Sequence, residues 1–160
     1  MSNAPETDLI AAIGDAISRW QDSVEEFDGV VGEMYKLSAA ERRCLGAIRF
    51  GPRPANIIAR DTNLTPAAVT TLIDRLEMRG FVERRSDPAD RRKVLVAAAP
   101  GTFDLIEHAY RPVFEAGAAL LGTYSADEAR LILRFVEEVE QLQKEQTVRM
   151  RASGKIPPSG

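Results

Sequence analysis

The sequence has one cysteine and one histidine among its 160 residues. A single cysteine excludes an intramolecular disulfide framework and any cysteine-based metal cage. A single histidine, His108, leaves no imidazole pair for a metal ion and little scope for histidine-based catalysis, and with one cysteine no nucleophile–base–acid set can be assembled, so no catalytic residue and no metal ligand is assigned. Aromatic residues are scarce, at 6%. No glycine-rich loop of the kind that cradles phosphate is present. No apolar run approaches the roughly 20 residues that span a bilayer. The opening Met1-Ser-Asn-Ala-Pro-Glu6 has neither the basic nor the apolar stretch of a secretory signal. The expectation is a soluble, cytoplasmic, non-enzymatic chain without a cofactor, forming one domain over residues 1–160.

What is present is mostly helical patterning. Residues 1–6 and 152–160 are small, polar and Pro/Gly-rich and read as flexible tails. From Thr7 to Lys36, apolar residues fall at Ile10, Ile13, Ile17, Trp20, Val24, Phe27, Val31 and Met34. This alternation of three- and four-residue steps is a heptad seam, which suits packing on another long helix, from the same chain or a second subunit. Ser38-Ala-Ala-Glu41 is a capping box opening a helix to about Phe50, and Gly51-Pro-Arg-Pro54 breaks it. A short helix over 55–61 follows. Thr65-Pro66 starts another, which runs to Arg79 and stops at Gly80. Phe81–Arg85 and Arg91–Ala97 read as strands joined by the turn-rich Ser86–Asp90, a hairpin. A helix over 102–121 contains Pro112, predicting a kink near 108–111. The last helix starts at the capping box Ser125–Glu128 and runs to Arg149, with Ile132, Phe135, Val139 and Leu142 again at seam spacing. The fold class is therefore mainly α with a small β-hairpin wing: a winged helix-turn-helix over 37–98, flanked by long helices over 7–36 and 102–149.

The overall charge of −3 hides an asymmetry. Residues 37–98 hold 12 Arg and Lys against 7 Asp and Glu, a balance of +5, while the rest of the chain holds 9 against 17, a balance of −8. A basic module on an acidic body suits DNA approached from one side. Arg84, Arg85, Arg91, Arg92 and Lys93 concentrate that charge at the hairpin. In the helix from Thr65, the residues Val69, Leu72, Ile73 and Leu76 form the inward stripe. Ala67, Thr70, Thr71, Asp74, Arg75 and Met78 then point outward. Threonine hydroxyls and the Ala67 methyl suit base edges and thymine methyls, and Arg75 suits guanine or phosphate. At the hairpin tip a long cation can enter a minor groove, and Asp90 is placed to orient an arginine.

Thr65-Pro-Ala-Ala-Val-Thr-Thr-Leu-Ile-Asp-Arg-Leu-Glu-Met-Arg-Gly-Phe-Val, followed by Asp87-Pro-Ala-Asp-Arg-Arg-Lys-Val-Leu-Val, resembles the MarR (multiple antibiotic resistance regulator) family. The resemblance implies a bacterial winged-helix homodimer that binds a pseudo-palindromic operator on double-stranded DNA, mostly as a repressor. It implies that Thr65 to Thr71 and Arg75 face the groove, with Arg91 in the minor groove and Asp90 orienting it; with the hairpin cations added, the candidate DNA-contacting residues are Thr65, Pro66, Ala67, Thr70, Thr71, Arg75, Arg84, Asp90, Arg91 and Arg92. The first and last two helices would supply the dimer interface. Two departures stand out. Ala97-Ala-Ala-Pro-Gly101 replaces the Leu-Thr that often precedes the fifth helix, removing a cap hydroxyl. The third helix opens at Arg53-Pro54, without a Ser or Thr cap.

Regulators of this kind often release DNA on binding a small aromatic or phenolic effector, for which Trp20, Phe27, Tyr35, His108 and Arg111 are the candidate lining residues. Each is equally explained by packing or by the dimer seam. Cys44 is the alternative sensor, by oxidation, although Leu45 and Ile48 beside it suggest an inward, inert thiol. The rival class is a winged-helix protein–protein adaptor, which would not call for the arginine cluster.

Overall fold

Helix ends in this chain are written by caps, and a computed structural model describes residues 7–154. The described residues divide into two compact units, 7–111 and 112–154. The first unit runs α1 (Thr7–Tyr35), α2 (Ala39–Ala47), β1 (Arg53–Pro54), α3 (Ala55–Thr62), α4 (Pro66–Met78), β2 (Val82–Ser86), β3 (Val94–Ala98), α5 (Pro100–Leu105) and a π-helical turn (Ile106–Tyr110). The second holds α6 (Arg111–Leu121) from Pro112 onward and α7 (Ala126–Ser153). The chain is mainly helical with one small antiparallel sheet, the winged helix-turn-helix fold.

The Ser38 hydroxyl accepts from the Glu41 N–H at 3.2 Å, and the Ser38 N–H donates to Glu41 Oε2 at 2.7 Å, closing the capping box of α2. Thr65 Oγ1 accepts from the Ala68 N–H at 3.2 Å, with Pro66 as the first residue of α4. Asn63 ends α3 in the left-handed conformation, at φ 55. The core gathers Val31 from α1, Cys44, Leu45 and Ile48 from α2 and its end, and Ile58 from α3. Val69, Leu72, Ile73 and Leu76 of α4 and Val82 and Val96 of the sheet join it, with Leu37, Ala59, Phe81 and Leu105. Burying a side chain such as Ile58 or Leu76 contributes about 1.5–3 kcal/mol each.

The hairpin differs from expectation in two ways. Its strands begin later, because Asp87 and Asp90 hold the tip in turns: the Ala89 N–H donates to Asp87 Oδ1 at 2.8 Å and the Arg92 N–H to Asp90 Oδ1 at 3.1 Å. Arg91, Arg92 and Lys93 therefore lie in the tip rather than in β3. The sheet also has a third strand, with order β1-β3-β2 and Arg53 opposite Val96. Two residues ending in proline carry no alternating pattern, and proline at a sheet edge forfeits only one bond. α2 likewise stops at Ala47, short of Phe50, as the Ile48 and Arg49 N–H groups turn back to Leu45 and Gly46.

The uncapped start of α5 is held from outside the helix. Thr102 Oγ1 donates to the Phe81 carbonyl at 2.5 Å, and the Gly101 N–H donates to the Gly80 carbonyl at 2.9 Å. A Cβ on Gly101 would lie 2.9 Å from that same Gly80 oxygen, so only glycine fits. Before Pro112 the chain widens into the π-helical turn, where the Arg111 N–H bonds Ile106 five residues back. Pro112 offers no N–H to His108 and its ring crowds that carbonyl, so the wider turn is the form the expected irregularity takes.

The seam of α1 is uncovered over most of its length. Ile10, Ile13, Trp20, Val24 and Met34 are exposed, Ile17 and Phe27 half-buried, and Val31 alone of the eight buried. In α6 and α7 no residue is buried at all. Phe135 and Leu142 are exposed there, while Ile132 and Val139 are half-buried. The second capping box opens α7 as expected. Its end lies beyond Arg149, with Gly154 at φ 56 as the left-handed cap, so Ala152 and Ser153 belong to the helix rather than to a tail. Residues 1–6 and 155–160 lie outside the described residues.

Candidate nucleic-acid interface

α4 presents Thr65, Pro66, Ala67, Thr70, Thr71, Asp74, Arg75 and Met78 to solvent, opposite its buried stripe. Thr70 Oγ1 donates to the Pro66 carbonyl at 3.0 Å and Thr71 Oγ1 to the Ala67 carbonyl at 3.2 Å. Both hydroxyl protons are thus turned back onto the helix, leaving outward oxygens that can accept from base amino groups, alongside methyls that fit thymine.

Arg84 is placed differently from the other candidates. From β2 its guanidinium donates to Asp74 Oδ1 at 2.5 Å and to Glu77, both on α4, and its own N–H bonds Glu77 Oε1 at 3.1 Å. The Asp74 bond is the main reason its pKa is raised; burial opposes it, and the Glu77 carboxylate adds to the rise. Arg84 is thereby a strut between wing and helix, with both terminal nitrogens bonded to carboxylates of α4. Arg85 pairs with Glu83 in the same strand.

At the wing tip Arg91 and Arg92 are exposed, and neither side chain has a hydrogen bond or ion pair among the described residues. Asp90 does not orient Arg91. Its carboxylate instead takes the Arg92 backbone N–H at 3.1 Å and lies 3.8 Å from Lys93 Nζ. The tip backbone is ordered by these bonds and by Lys93 N–H to the Asp90 carbonyl at 2.8 Å.

A cluster behind α4 escaped the sequence reading. Glu41 is 5% exposed, and its Oε1 lies 3.9 Å from Arg75 Nε and 3.9 Å from Arg79 Nη1. Burial pushes its pKa up, but the Ser38 backbone and hydroxyl bonds, Arg75 and Arg79 outweigh that and leave it lowered. Arg79 also donates to the Tyr35 carbonyl at 2.6 Å and the Lys36 carbonyl at 2.9 Å, closing the end of α1. The signal was present in the Ser38–Glu41 box, whose carboxylate reads from sequence as a cap only.

Of the candidate effector residues, Phe27 and Tyr35 both pack against the core, while the others have local partners or solvent. Phe27 meets Tyr110 edge to face at 5.7 Å, Tyr110 donates to Asp28 at 2.8 Å, and Tyr35 packs against the core. His108 Nδ1 sits 2.7 Å from the Asp104 carbonyl, Arg111 pairs with Glu107 at 2.9 Å, and Trp20 is exposed on α1. Cys44 is fully buried, and burial, reinforced by Glu41, raises its pKa to about 12, the opposite of what a reactive thiolate needs. Among the described residues no cluster of His, Cys, Asp or Glu could hold a metal ion, and no helix is long and apolar enough to cross a membrane.

Residues 46–94 match the MarR family. An uncharacterized HTH-type transcriptional regulator of Bacillus subtilis, YcgE, is 34% identical over 101 residues, which cover 63% of this chain and 66% of that protein. Among solved structures, a MarR family protein from Bacillus stearothermophilus superposes with a TM-score of 0.64 at 17% identity, over 88% of this chain and 99% of its own. RV1404 from Mycobacterium tuberculosis gives 0.63 at 17% identity, over 88% and 97%. The structural likenesses bear on the fold alone.

Proposed function

The chain carries a MarR-family winged-helix domain, and from that premise we propose that it is a sequence-specific, DNA-binding transcriptional regulator acting as a homodimer. The observation that carries the proposal is the pairing of α4's exposed Thr70, Thr71 and Arg75 with a wing whose tip holds two unpaired arginines. α4 suits a major groove, with Thr65, Pro66 and Ala67 at the end that enters, where the helix N-terminus also favours phosphate. Arg91 suits the adjacent minor groove, and Arg92 the backbone beside it. Arg84 and Asp90 serve by holding the wing on α4 and by ordering its tip.

Two copies of α4 on a pseudo-palindromic operator require a two-fold dimer. The uncovered seam of α1 and the unburied apolar residues of α6 and α7 support that assembly, since faces this apolar are rarely left to water. Repression relieved by a small aromatic or phenolic effector is the regulatory half of the proposal. A ligand that favours a different spacing of the two α4 helices shifts the population away from the DNA-binding form. The buried Cys44 favours such a ligand over oxidation as the signal.

Fluorescence anisotropy over a salt series tests this reading, with a duplex enriched from a random library by the protein itself and a scrambled duplex beside it. Tight binding to the enriched duplex, a steep salt slope and a clear preference over the scrambled one are expected. Failure to prefer any duplex would turn the assignment to the adaptor class.

A further inference from the structure

We infer that Glu41, a residue far from solvent and behind the DNA-facing side of α4, is a positioning residue for Arg75 and thereby sets the protein's base discrimination. The inference rests on the DNA-binding reading above and deepens it. Arg75 is more than half exposed, at 57% of its side chain, and a long exposed arginine samples many rotamers. Glu41 restricts that sampling. Its Oε2 is fixed by two bonds to Ser38, from the N–H at 2.7 Å and the hydroxyl at 2.8 Å, so the carboxylate cannot swing. Its Oε1 faces Arg75 through Nε at 3.9 Å, an ion-pair distance rather than a hydrogen bond. The attraction therefore draws the Nε edge of the guanidinium inward without engaging its terminal nitrogens. Neither Nη group has a hydrogen bond or ion pair among the described residues, so both remain available as donors, and a pair of parallel N–H donors is what the O6 and N7 of guanine accept.

The second guanidinium at Oε1 completes the device. Arg79 is anchored on the Tyr35 and Lys36 carbonyls, so it neutralises Glu41 without leaving its place. A buried carboxylate with one fixed cation and one movable cation can release Arg75 toward a base without being stranded as an unpaired charge. Arg75 is held loosely enough to engage DNA and closely enough to arrive in one pose.

The test uses Glu41→Gln in the full-length protein. Glutamine still accepts the Ser38 N–H, so the cap survives while the charge is lost. With the enriched and scrambled duplexes, Glu41→Gln should lower the preference for the enriched duplex about tenfold, within the range of one bidentate base contact. Affinity for the scrambled duplex should stay within about twofold, since no phosphate contact is removed. In an Arg75→Ala background the same substitution should cost no further preference, a coupling that a purely structural role would not produce. Glu41→Asp, which keeps the charge but draws it back one methylene, replaces Glu41→Gln should the latter not fold, and the same coupling is expected. An unchanged preference, or losses that add to that of Arg75→Ala, would overturn the inference while leaving the regulator reading intact. A wild-type protein that prefers no duplex would remove both.

Discussion

Arg84→Ala separates a cation that holds the protein together from one that waits for DNA. The substitution removes two ion pairs, to Asp74 and Glu77, in a site where the arginine side chain is one-third exposed. Pairs of this exposure contribute about 0.2–1 kcal/mol each. Asp74 and Glu77 are also three residues apart on α4, and without Arg84 their repulsion costs about 0.2–0.5 kcal/mol more. The bond from the residue 84 N–H to Glu77 survives in alanine. The loss is then about 0.6–2.5 kcal/mol, which for a chain of this length lowers Tm by about 1–10 °C at fixed protein concentration. Differential scanning calorimetry reads that shift, and anisotropy over a salt series reads the second half of the prediction. Because Arg84 is engaged within the protein, its removal should leave the slope of log affinity against log salt unchanged within about 0.3. Each phosphate no longer neutralised would reduce that slope by about 0.9. An unaltered Tm with a shallower slope would refute the reasoning, since Arg84 would then leave its carboxylates to contact the backbone of DNA.

The other predictions concern the tip, the seams and the thiol. Arg91→Ala should weaken duplex binding and reduce the salt slope, by about 0.9 for each phosphate that the side chain neutralises, with Tm and sedimentation coefficient unchanged. Tm should rise with protein concentration, since α6 and α7 have no buried residues of their own. Phe135→Asp should shift the sedimentation equilibrium toward monomer. Cys44 should resist maleimide at pH 7 and at pH 9 alike, because a thiol raised to about 12 stays protonated across that interval. Labelling should become fast only in denaturant.

The sequence made legible whatever is local. Val69, Leu72, Ile73 and Leu76 spell the buried side of α4 through spacing alone, and Ser38, Thr65 and Ser125 mark helix starts because a cap is a contact between residues three apart. β1 was hidden, as pairing of Arg53 with Val96 joins positions 43 apart and a two-residue strand has no period. The late start of β3 followed from Asp90, whose carboxylate competes for the Arg92 N–H and keeps the tip in a turn. Within the candidate site, the exposed side of α4 was readable from amphipathicity, and the cations at the hairpin from the turn residues and the clustering of charge. The engagement of Arg84 and the junction at Glu41 were not, because charge counts do not say which carboxylate meets which guanidinium. Arg84 was indistinguishable from its neighbour Arg85 until β2 was seen crossing the end of α4.

The strut at Arg84 has a bearing on how DNA sequence would be selected where no base is touched. It ties the wing to α4, so the tip arginines and the exposed threonines are carried at a fixed separation, like the jaws of a caliper. Under the proposed function a duplex must bring its minor groove into phase with the neighbouring major groove to satisfy both at once. Duplexes whose twist or stiffness puts the groove out of phase would have to be deformed, at a cost set by their base steps. Operator preference would then extend to the flanks, and flexible or narrow-grooved flanks would bind better with every contacted base held constant.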